Sequence, residues 1–223
     1  MAKRLLIILL LAGGPVFAQD DYSELVDRAF EAIDQGLQTN WAYTESRLEE
    51  GTLWVGRYDP RREEEGRWQL LSVDGREPTA DEIEEYLDDQ DGPADSDENS
   101  RTTRVNRNSL TLREEGDGYL LFDFDPAEDD DEFMEHVDAT LKIVTAAEPY
   151  VASMDMSSSK AFRPATGVKI HEFATHLTFA PLHENGPVLP RSVRVKVRGG
   201  AYLVISFDEA TSIDYSDYEY VGD

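Results

Sequence analysis

The sequence predicts a mainly β protein (α+β) with a strongly curved antiparallel sheet or unclosed β-barrel of about eleven strands, whose concave face is covered by helices. Three observations predict this class. Short segments of alternating apolar and polar residues recur along the chain between turn residues. Helical periodicity occurs in only two segments. The alternation in 191–198 places valines on one face and basic residues on the other, which is typical of an antiparallel sheet with one solvated face.

Two helices are predicted. The first covers residues 23–37, where apolar residues recur at helical spacing and Asp and Glu occupy the opposite side. The second begins after Thr79, because Thr79 and Glu82 form a capping box ahead of Ile83. Residues 88–100 are nearly all Asp, Glu, Asn, Ser, Gly and Pro, so we expect a mobile acidic loop there.

The strands are bounded by recognisable turns. Glu50–Gly51 joins the first two strands, Asp74–Gly75 ends the third, and Asn185–Gly186 is the strongest hairpin signal in the chain. The predicted strands cover residues 41–49, 52–59, 67–74, 109–114, 119–125, 138–145, 150–157, 169–180, 191–198, 201–208 and 211–219.

The first eighteen residues have the pattern of a secretory signal peptide. Lys3 and Arg4 precede an apolar run that is much shorter than the roughly 20 residues of a membrane-spanning helix. We therefore expect cleavage after Ala18 and a periplasmic protein that does not span the membrane. Residues 19–223 are enough for a single domain. The chain contains no cysteine, which excludes disulfides and thiolate metal sites.

The chain is strongly acidic, with 47 Asp and Glu, 21 Lys and Arg, and a formal net charge of −26. Such a surface repels phosphate, so nucleic acid is not an expected partner. Solubility explains the charge, and a specific cationic partner is the alternative explanation.

Residues 51–75, GTLWVGRYDPRREEEGRWQLLSVDG, follow a distinctive order after the first helix. A G-x-LWV-x-R strand is followed by a strand with a tryptophan and by a D-G turn. In this order the segment resembles the start of the periplasmic outer-membrane lipoprotein carriers, the LolA-like proteins. The matching residues are Gly51, Leu53, Trp54, Val55, Arg57, Trp68, Asp74 and Gly75. After the turn this chain departs from the carriers, because Pro78, a capped helix and the acidic loop replace their next strand.

The resemblance implies an unclosed barrel whose helix-covered hollow takes up acyl chains, and a residue, Arg57 here, that holds the helical lid shut by hydrogen bonds. Arg57 shares a strand face with Leu53 and Val55, so we expect this row to face the hollow and Trp54 to pack on the outer side or an edge. The strand of Trp68 carries apolar residues on both faces, which leaves its orientation open. The expected lipid-binding residues are Leu53, Val55, Val193, Val195, Leu203 and Ile205.

The expected function is that of a non-enzymatic, carrier-like protein that binds a lipid or an acylated protein without a cofactor. The alternative is an envelope interaction or sensing module on the same scaffold, with a self-filled core and a charged surface that binds envelope proteins. These two functions look alike in sequence, because an apolar row can pack against a helix or line a cavity. A hydrolase is a third hypothesis, although the serines and carboxylates lack a placed base.

No metal site is predicted. His171 and His176 are five apart on a strand and therefore point to opposite faces. Residues 95–106 begin like a calcium loop, but Ser100 and Asn106 replace the turn glycine and the bidentate glutamate that such a loop requires.

A row of basic residues is unusual in so acidic a chain. Arg194, Lys196 and Arg198 point to one face of their strand. They are expected to pair with carboxylates of neighbouring strands, such as Asp208, and an acidic partner or lipid headgroup is the alternative.

Overall fold

The computed structural model describes residues 22–38, 40–90, 105–126, 133–202 and 205–222. In this part of the chain there are two α-helices, α1 (Ser23–Gln38) and α2 (Ala80–Gln90). The strands are β1 (Trp41–Glu49), β2 (Thr52–Tyr58), β3 (Trp68–Val73), β4 (Thr111–Gly116), β5 (Tyr119–Phe124), β6 (Val137–Val144), β7 (Tyr150–Ser158), β8 (Phe162–Ala165), β9 (Val168–Pro181), β10 (Val188–Ala201) and β11 (Ile205–Tyr220). The predicted signal peptide lies outside the described residues.

All eleven strands belong to one antiparallel sheet. Their order is β3-β2-β1-β11-β10-β9-β7-β6-β5-β4, with β8 paired to β9 off this path. The sheet is unclosed, because β3 and β4, its two edges, are not paired with each other in the described part of the chain. The predicted mainly β class and open antiparallel sheet are confirmed.

The predicted turns form as their residue types require. Glu50 and Gly51 have φ angles of 50° and 84°, and Asp74 and Gly75 have φ angles of 50° and 76°. Two consecutive residues with positive φ characterise the hairpin turn that Asp-Gly favours. Asn185, in the β9–β10 connection, also has a positive φ of 57°.

The predicted capping box starts α2. The backbone N–H of Thr79 donates to Glu82 Oε2 at 2.8 Å, and the backbone N–H of Glu82 donates to Thr79 Oγ1 at 3.3 Å. The Arg76 guanidinium, followed by the Thr79 N–H, lowers the pKa of Glu82 to about 2. The helix continues to Gln90, so the prediction that the acidic loop begins at residue 88 is wrong. The remainder of that loop lies outside the described residues.

Two strand predictions differ from the structure. Residues 201–208 and 211–219 were expected as separate strands, but β11 is continuous from Ile205 to Tyr220. It pairs with β10 on one side and β1 on the other, and residues 208–211 contain no turn-forming Gly or Pro. Strand β8 was not predicted.

One row of paired residues identifies the face of the sheet on which both helices lie. Directly opposed residues of antiparallel strands point to the same face. From β4 to β3 this row is Leu112, Phe122, Leu141, Met154, Leu177, Val193, Ile213, Arg47, Trp54 and Val73. Helix α1 packs on the part from Leu112 to Val193, and α2 packs on Trp54 and Val73. We call this side of the sheet the helix face.

Helix α1 and the sheet form the main core. Its buried residues Val26, Ala29, Phe30 and Ile33 pack against the apolar side chains of β5, β6, β7 and β9. Gly36 marks the point where α1 approaches β10, because a Cβ atom there would lie 2.1 Å from the carbonyl oxygen of Val188. The absence of a side chain therefore sets how closely the helix can lie on the sheet.

Candidate functional site

Helix α2 covers the strands at the β3 edge through a single buried tyrosine. Tyr86 is 1% exposed and packs with Leu70 and Val73. Its ring stacks on Trp54 with a centroid distance of 6.5 Å and meets Trp68 edge-on at 6.2 Å. Both tryptophans therefore lie on the helix face, which answers the open question for Trp68. Trp54 was expected on the outer side or at an edge; it is not on the outer side, and its strand β2 is paired with the edge strand β3.

The row Leu53, Val55 and Arg57 lies on the face opposite to the helices, contrary to the prediction. Leu53 is 39% exposed. Arg57 donates to the carbonyl oxygen of Asp217 at 2.9 Å and to Glu219 at 3.1 Å, both on β11. These two partners lie within the sheet and not on a helix. Helix α2 sets the orientation of β2, because the ring of Tyr86 occupies the space above Gly56, which has no side chain.

Gly56 lies on the same face of β2 as Trp54. A Cβ atom on Gly56 would lie 2.0 Å from the Tyr86 hydroxyl oxygen. A glycine inside a strand commonly marks such a close approach. This was the sequence signal that could have given the correct face of β2.

The other expected lipid-binding residues are dispersed. Val193 packs at the margin of the α1 core, and Val195 lies on the same face and is half-buried. Ile205, at the start of β11, is 57% exposed. Leu203 lies outside the described residues. The structure therefore brings Val193 and Val195 together on the helix face and does not gather all six residues at one site.

A pocket of about 400 Å³ opens on the middle strands of the helix face, beyond the C-terminal part of α1. We call it the aromatic pocket. Five of its lining residues are aromatic: Trp41, Tyr43, Tyr58, Tyr215 and Tyr218. The other lining residues are Gly36, Asn40, Pro60, Leu189 and Pro190. None of the ten carries a charge, so the pocket presents aromatic rings, aliphatic groups and neutral polar groups to whatever enters it.

Tyr43 is the centre of the aromatic wall. Its ring centroid lies 5.2 Å from that of Tyr58 and 5.7 Å from those of Trp68, Tyr215 and Tyr218. Burial raises the pKa of Tyr43 well above its usual value, and interaction with Tyr215 and with a glutamate on β1 raises it further. Burial also raises the pKa of Tyr215 and Tyr218. These rings are therefore neutral phenols throughout the physiological pH range.

The β1 glutamate that interacts with Tyr43 is Glu45. It is only 6% exposed and lies directly opposite Tyr215 and Gly56 in the strand register. It and Thr175 are the buried polar residues in the described part of the chain. Burial raises the pKa of Glu45, whereas Arg47 and a hydrogen bond with Gln90 of α2 lower it. Glu45 thus places an acidic group next to Tyr43 on the helix face, where burial makes its charged form costly.

Arg47 connects the sheet to α2 beside this glutamate. Its guanidinium lies 5.4 Å from the centroid of the Tyr86 ring and forms an ion pair with Asp89 at 3.1 Å. Glu49 lies 3.8 Å from the Arg47 Nε. Arg47 therefore interacts with Asp89 and Glu49 as well as with Glu45.

The Tyr86 hydroxyl has no hydrogen-bond partner among the described residues, although it is buried. Burial is the main reason that its pKa is raised, and the nearby Glu45 raises it further. A buried hydroxyl without a partner costs about 1–3 kcal/mol. The group is thus available to donate a hydrogen bond next to Glu45.

A second cavity of about 860 Å³ lies beside the aromatic pocket. The two cavities share Trp41 as a lining residue. Helix α1 lines the second cavity with Ala32 and the aromatic pocket with Gly36, one helical turn away. Small residues on α1 thus leave space on both sides of Trp41.

The opposite face carries the basic row, which pairs with carboxylates as expected. Arg194 donates to Asp214 at 2.6 Å, and Lys196 and Arg198 lie 2.8 and 3.3 Å from Glu172. The partners are Glu172 and Asp214 instead of the suggested Asp208. The basic row is therefore a ladder of cross-strand ion pairs.

On the face opposite to the helices, Ser153, Asp155 and His176 are close together but are not arranged as a hydrolase triad. Ser153 Oγ donates to Asp155 at 3.2 Å, and His176 Nδ1 contacts the same carboxylate. A triad needs the histidine between the hydroxyl and the acid. The described residues contain no group of three or more His, Asp and Glu side chains that could hold a metal ion.

No protein-family model, curated protein or solved structure matches this chain. The resemblance to the lipoprotein carriers therefore rests on residues 51–75. Within the described ranges, neither helix is long and apolar enough to cross a membrane.

Proposed function

We propose that this protein is a non-enzymatic, carrier-like periplasmic protein that holds an acyl chain, from a lipid or an acylated protein, against the helix face of its sheet. The aromatic pocket is the observation that carries this proposal. Its volume of about 400 Å³ and its uncharged lining are typical of sites for small apolar ligands. Burial of the chain contributes about 25 cal/mol per Å² of apolar surface, less the cost of ordering the ligand.

The position of the two cavities supports an elongated ligand. They meet at Trp41, and the α1 residues at their margins are Ala32 and Gly36. An elongated amphiphile fits such a path better than a compact molecule, because it can extend through both cavities past one indole ring. In this arrangement the helices lie over the concave side of a curved sheet, and the acyl chain lies beneath the C-terminal part of α1.

An envelope interaction module is the second candidate function, and the packing of both helices favours it. Helix α1 fills the helix face over β5 to β9, and Tyr86 of α2 fills it over β2 and β3. A core filled by its own side chains needs no ligand for stability. In this case the acidic surface would carry the binding of an envelope partner.

Ligand binding is the first test. The chain is expressed with residues 1–18, purified from the periplasm, and measured by native mass spectrometry followed by organic extraction. The purified protein is then titrated with 11-(dansylamino)undecanoic acid, a fluorescent fatty acid. We expect a co-purifying lipid or saturable binding of one probe molecule. A ligand-free mass together with no probe binding would overturn the carrier function and favour the interaction module.

A matched pair of variants tests whether the ligand occupies the second cavity. Ala32→Phe puts a ring into the second cavity and is expected to weaken probe binding at least tenfold. Ala80→Phe adds the same ring at the exposed start of α2 and is the control, for which unchanged affinity is expected. Thermal unfolding of both variants shows whether a loss of binding reflects a loss of fold. Equal affinity of the two folded variants would contradict the proposed path.

A further inference from the structure

We infer that the aromatic pocket recognises a quaternary ammonium group, so that the protein selects amphiphiles whose head contains such a group. This inference rests on the proposed function, because it names the ligand class of the same pocket. Ring faces, a neighbouring arginine and the buried glutamate each support it.

Some of the rings that line the pocket meet at steep angles. Trp41 and Tyr218 are inclined at 88° with their centroids 6.2 Å apart, and Tyr43 and Tyr215 are inclined at 80° with centroids 5.7 Å apart. The faces of such rings carry negative potential, and sets of them around a cavity bind quaternary ammonium groups. The lining contains no carboxylate. A primary ammonium would need acceptors for its N–H groups, whereas a trimethylammonium group has no N–H to satisfy.

One cation already lies against this wall. The guanidinium of Arg191 is 6.0 Å from the centroid of Tyr218. Arg191 also donates to the carbonyl oxygen of Pro181 at 3.1 Å, which holds it beside β9. The contact places a positive charge beside the ring of Tyr218.

The buried acidic side chain beside these rings is that of Glu45. Glu45 lies opposite Tyr215 and is two residues from Tyr43 on the same strand face. Arg47 favours the ionised form of Glu45, and it also pairs with Asp89 and lies close to Glu49. The net charge of −26 attracts cations everywhere, but 0.15 M salt screens exposed charges beyond about 8 Å. Selectivity at physiological salt would therefore come from the pocket itself.

The test compares choline with 3,3-dimethylbutan-1-ol, its uncharged carbon isostere, by calorimetric titration of the whole protein in 0.15 M salt. We expect choline to bind at least tenfold more tightly. Tyr218→Leu, which removes a ring, should weaken choline binding at least fivefold, and Tyr218→Phe, which keeps the ring and loses the hydroxyl, should retain it. Glu45→Gln should weaken the binding of choline and leave that of the isostere unchanged.

Two further probes identify the source of the ammonium group. Lysophosphatidylcholine that binds at least tenfold more tightly than choline and lysophosphatidylglycerol would support a lipid ligand, and equal binding of choline and lysophosphatidylcholine would support a free ammonium compound. Equal binding of choline and its isostere, or of the two lysolipids, would overturn this inference while the fatty-acid probe still reports on the proposed function. Failure of the fatty-acid probe together with a ligand-free mass would overturn the proposed function and not the ammonium preference.

Discussion

Replacement of Gly36 by alanine sets two physical effects against each other. In an exposed helix, alanine is more favourable than glycine by about 1 kcal/mol. In α1, the new Cβ atom would lie 2.1 Å from the backbone oxygen of Val188, and real Cβ atoms stay at least 3.0 Å from such neighbours. The oxygen belongs to the paired strand β10 and cannot rotate away, so α1 must lift by about 1 Å.

The size of the effect follows from the packing that this shift disturbs. Helix α1 contributes four buried residues to the main core: Val26, Ala29, Phe30 and Ile33. A gap of about 1 Å forfeits a quarter to a half of a dispersion contact, and overpacking costs up to about 3 kcal/mol. After subtraction of the propensity gain, we expect Gly36→Ala to lower the free energy of unfolding by about 2 kcal/mol. The midpoint of thermal unfolding should fall by about 4–8 °C.

Urea unfolding followed by circular dichroism measures this change, with the dependence on denaturant showing whether the transition stays cooperative. Gly66→Ala is the matched control, because a Cβ atom at Gly66 meets nothing within 4 Å. It should leave stability within about 0.5 kcal/mol. A Gly36→Ala protein that is more stable than the original by about 1 kcal/mol would show that helix propensity dominates and that the close approach to β10 is wrong.

Three other substitutions test the features around α2. Tyr86→Phe removes a buried hydroxyl that has no partner in the described part of the chain, so urea unfolding should show equal or higher stability; a loss above about 1 kcal/mol would reveal a partner such as a bound water. Glu45→Gln should become more stable relative to the original as the pH rises from about 4 to 7, because burial raises the pKa of Glu45 and stability is lost as the buried acid ionises; unfolding curves at several pH values that show a constant difference would contradict this. Thr79→Ala removes the acceptor of the Glu82 N–H and should cost about 1 kcal/mol, with faster amide exchange confined to α2.

Local signals in the sequence predicted the local structure correctly. The turns at Glu50–Gly51 and Asp74–Gly75 and the capping box of Thr79 depend on residues that are neighbours along the chain. Helix α1 was predicted within one residue because its apolar residues repeat at helical spacing. These features require no knowledge of distant partners.

The face of β2 could not be predicted in the same way, because its choice depends on a distant helix. Both faces of TLWVGRY carry apolar residues, and Tyr86 decides between them by packing on Trp54 and over Gly56. The aromatic pocket shares this property, since Tyr43 and Tyr218 come from strands far apart in the sequence. The alternation of Trp41, Tyr43 and Glu45 along β1 was a usable signal, because it places large rings and one acid on a common face.

The central place of β11 has a consequence for folding. This strand joins the group β3-β2-β1 to the group that runs from β10 to β4, and it pairs Trp41 with Tyr220 across most of the chain length. Such non-local pairing closes a very long loop, which slows folding. The walls of the aromatic pocket come from both groups, and Tyr215 and Tyr218 come from β11 itself. Occupancy of the pocket would therefore report late, long-range assembly, whereas α1 and the β1–β2 hairpin can form before the two groups meet.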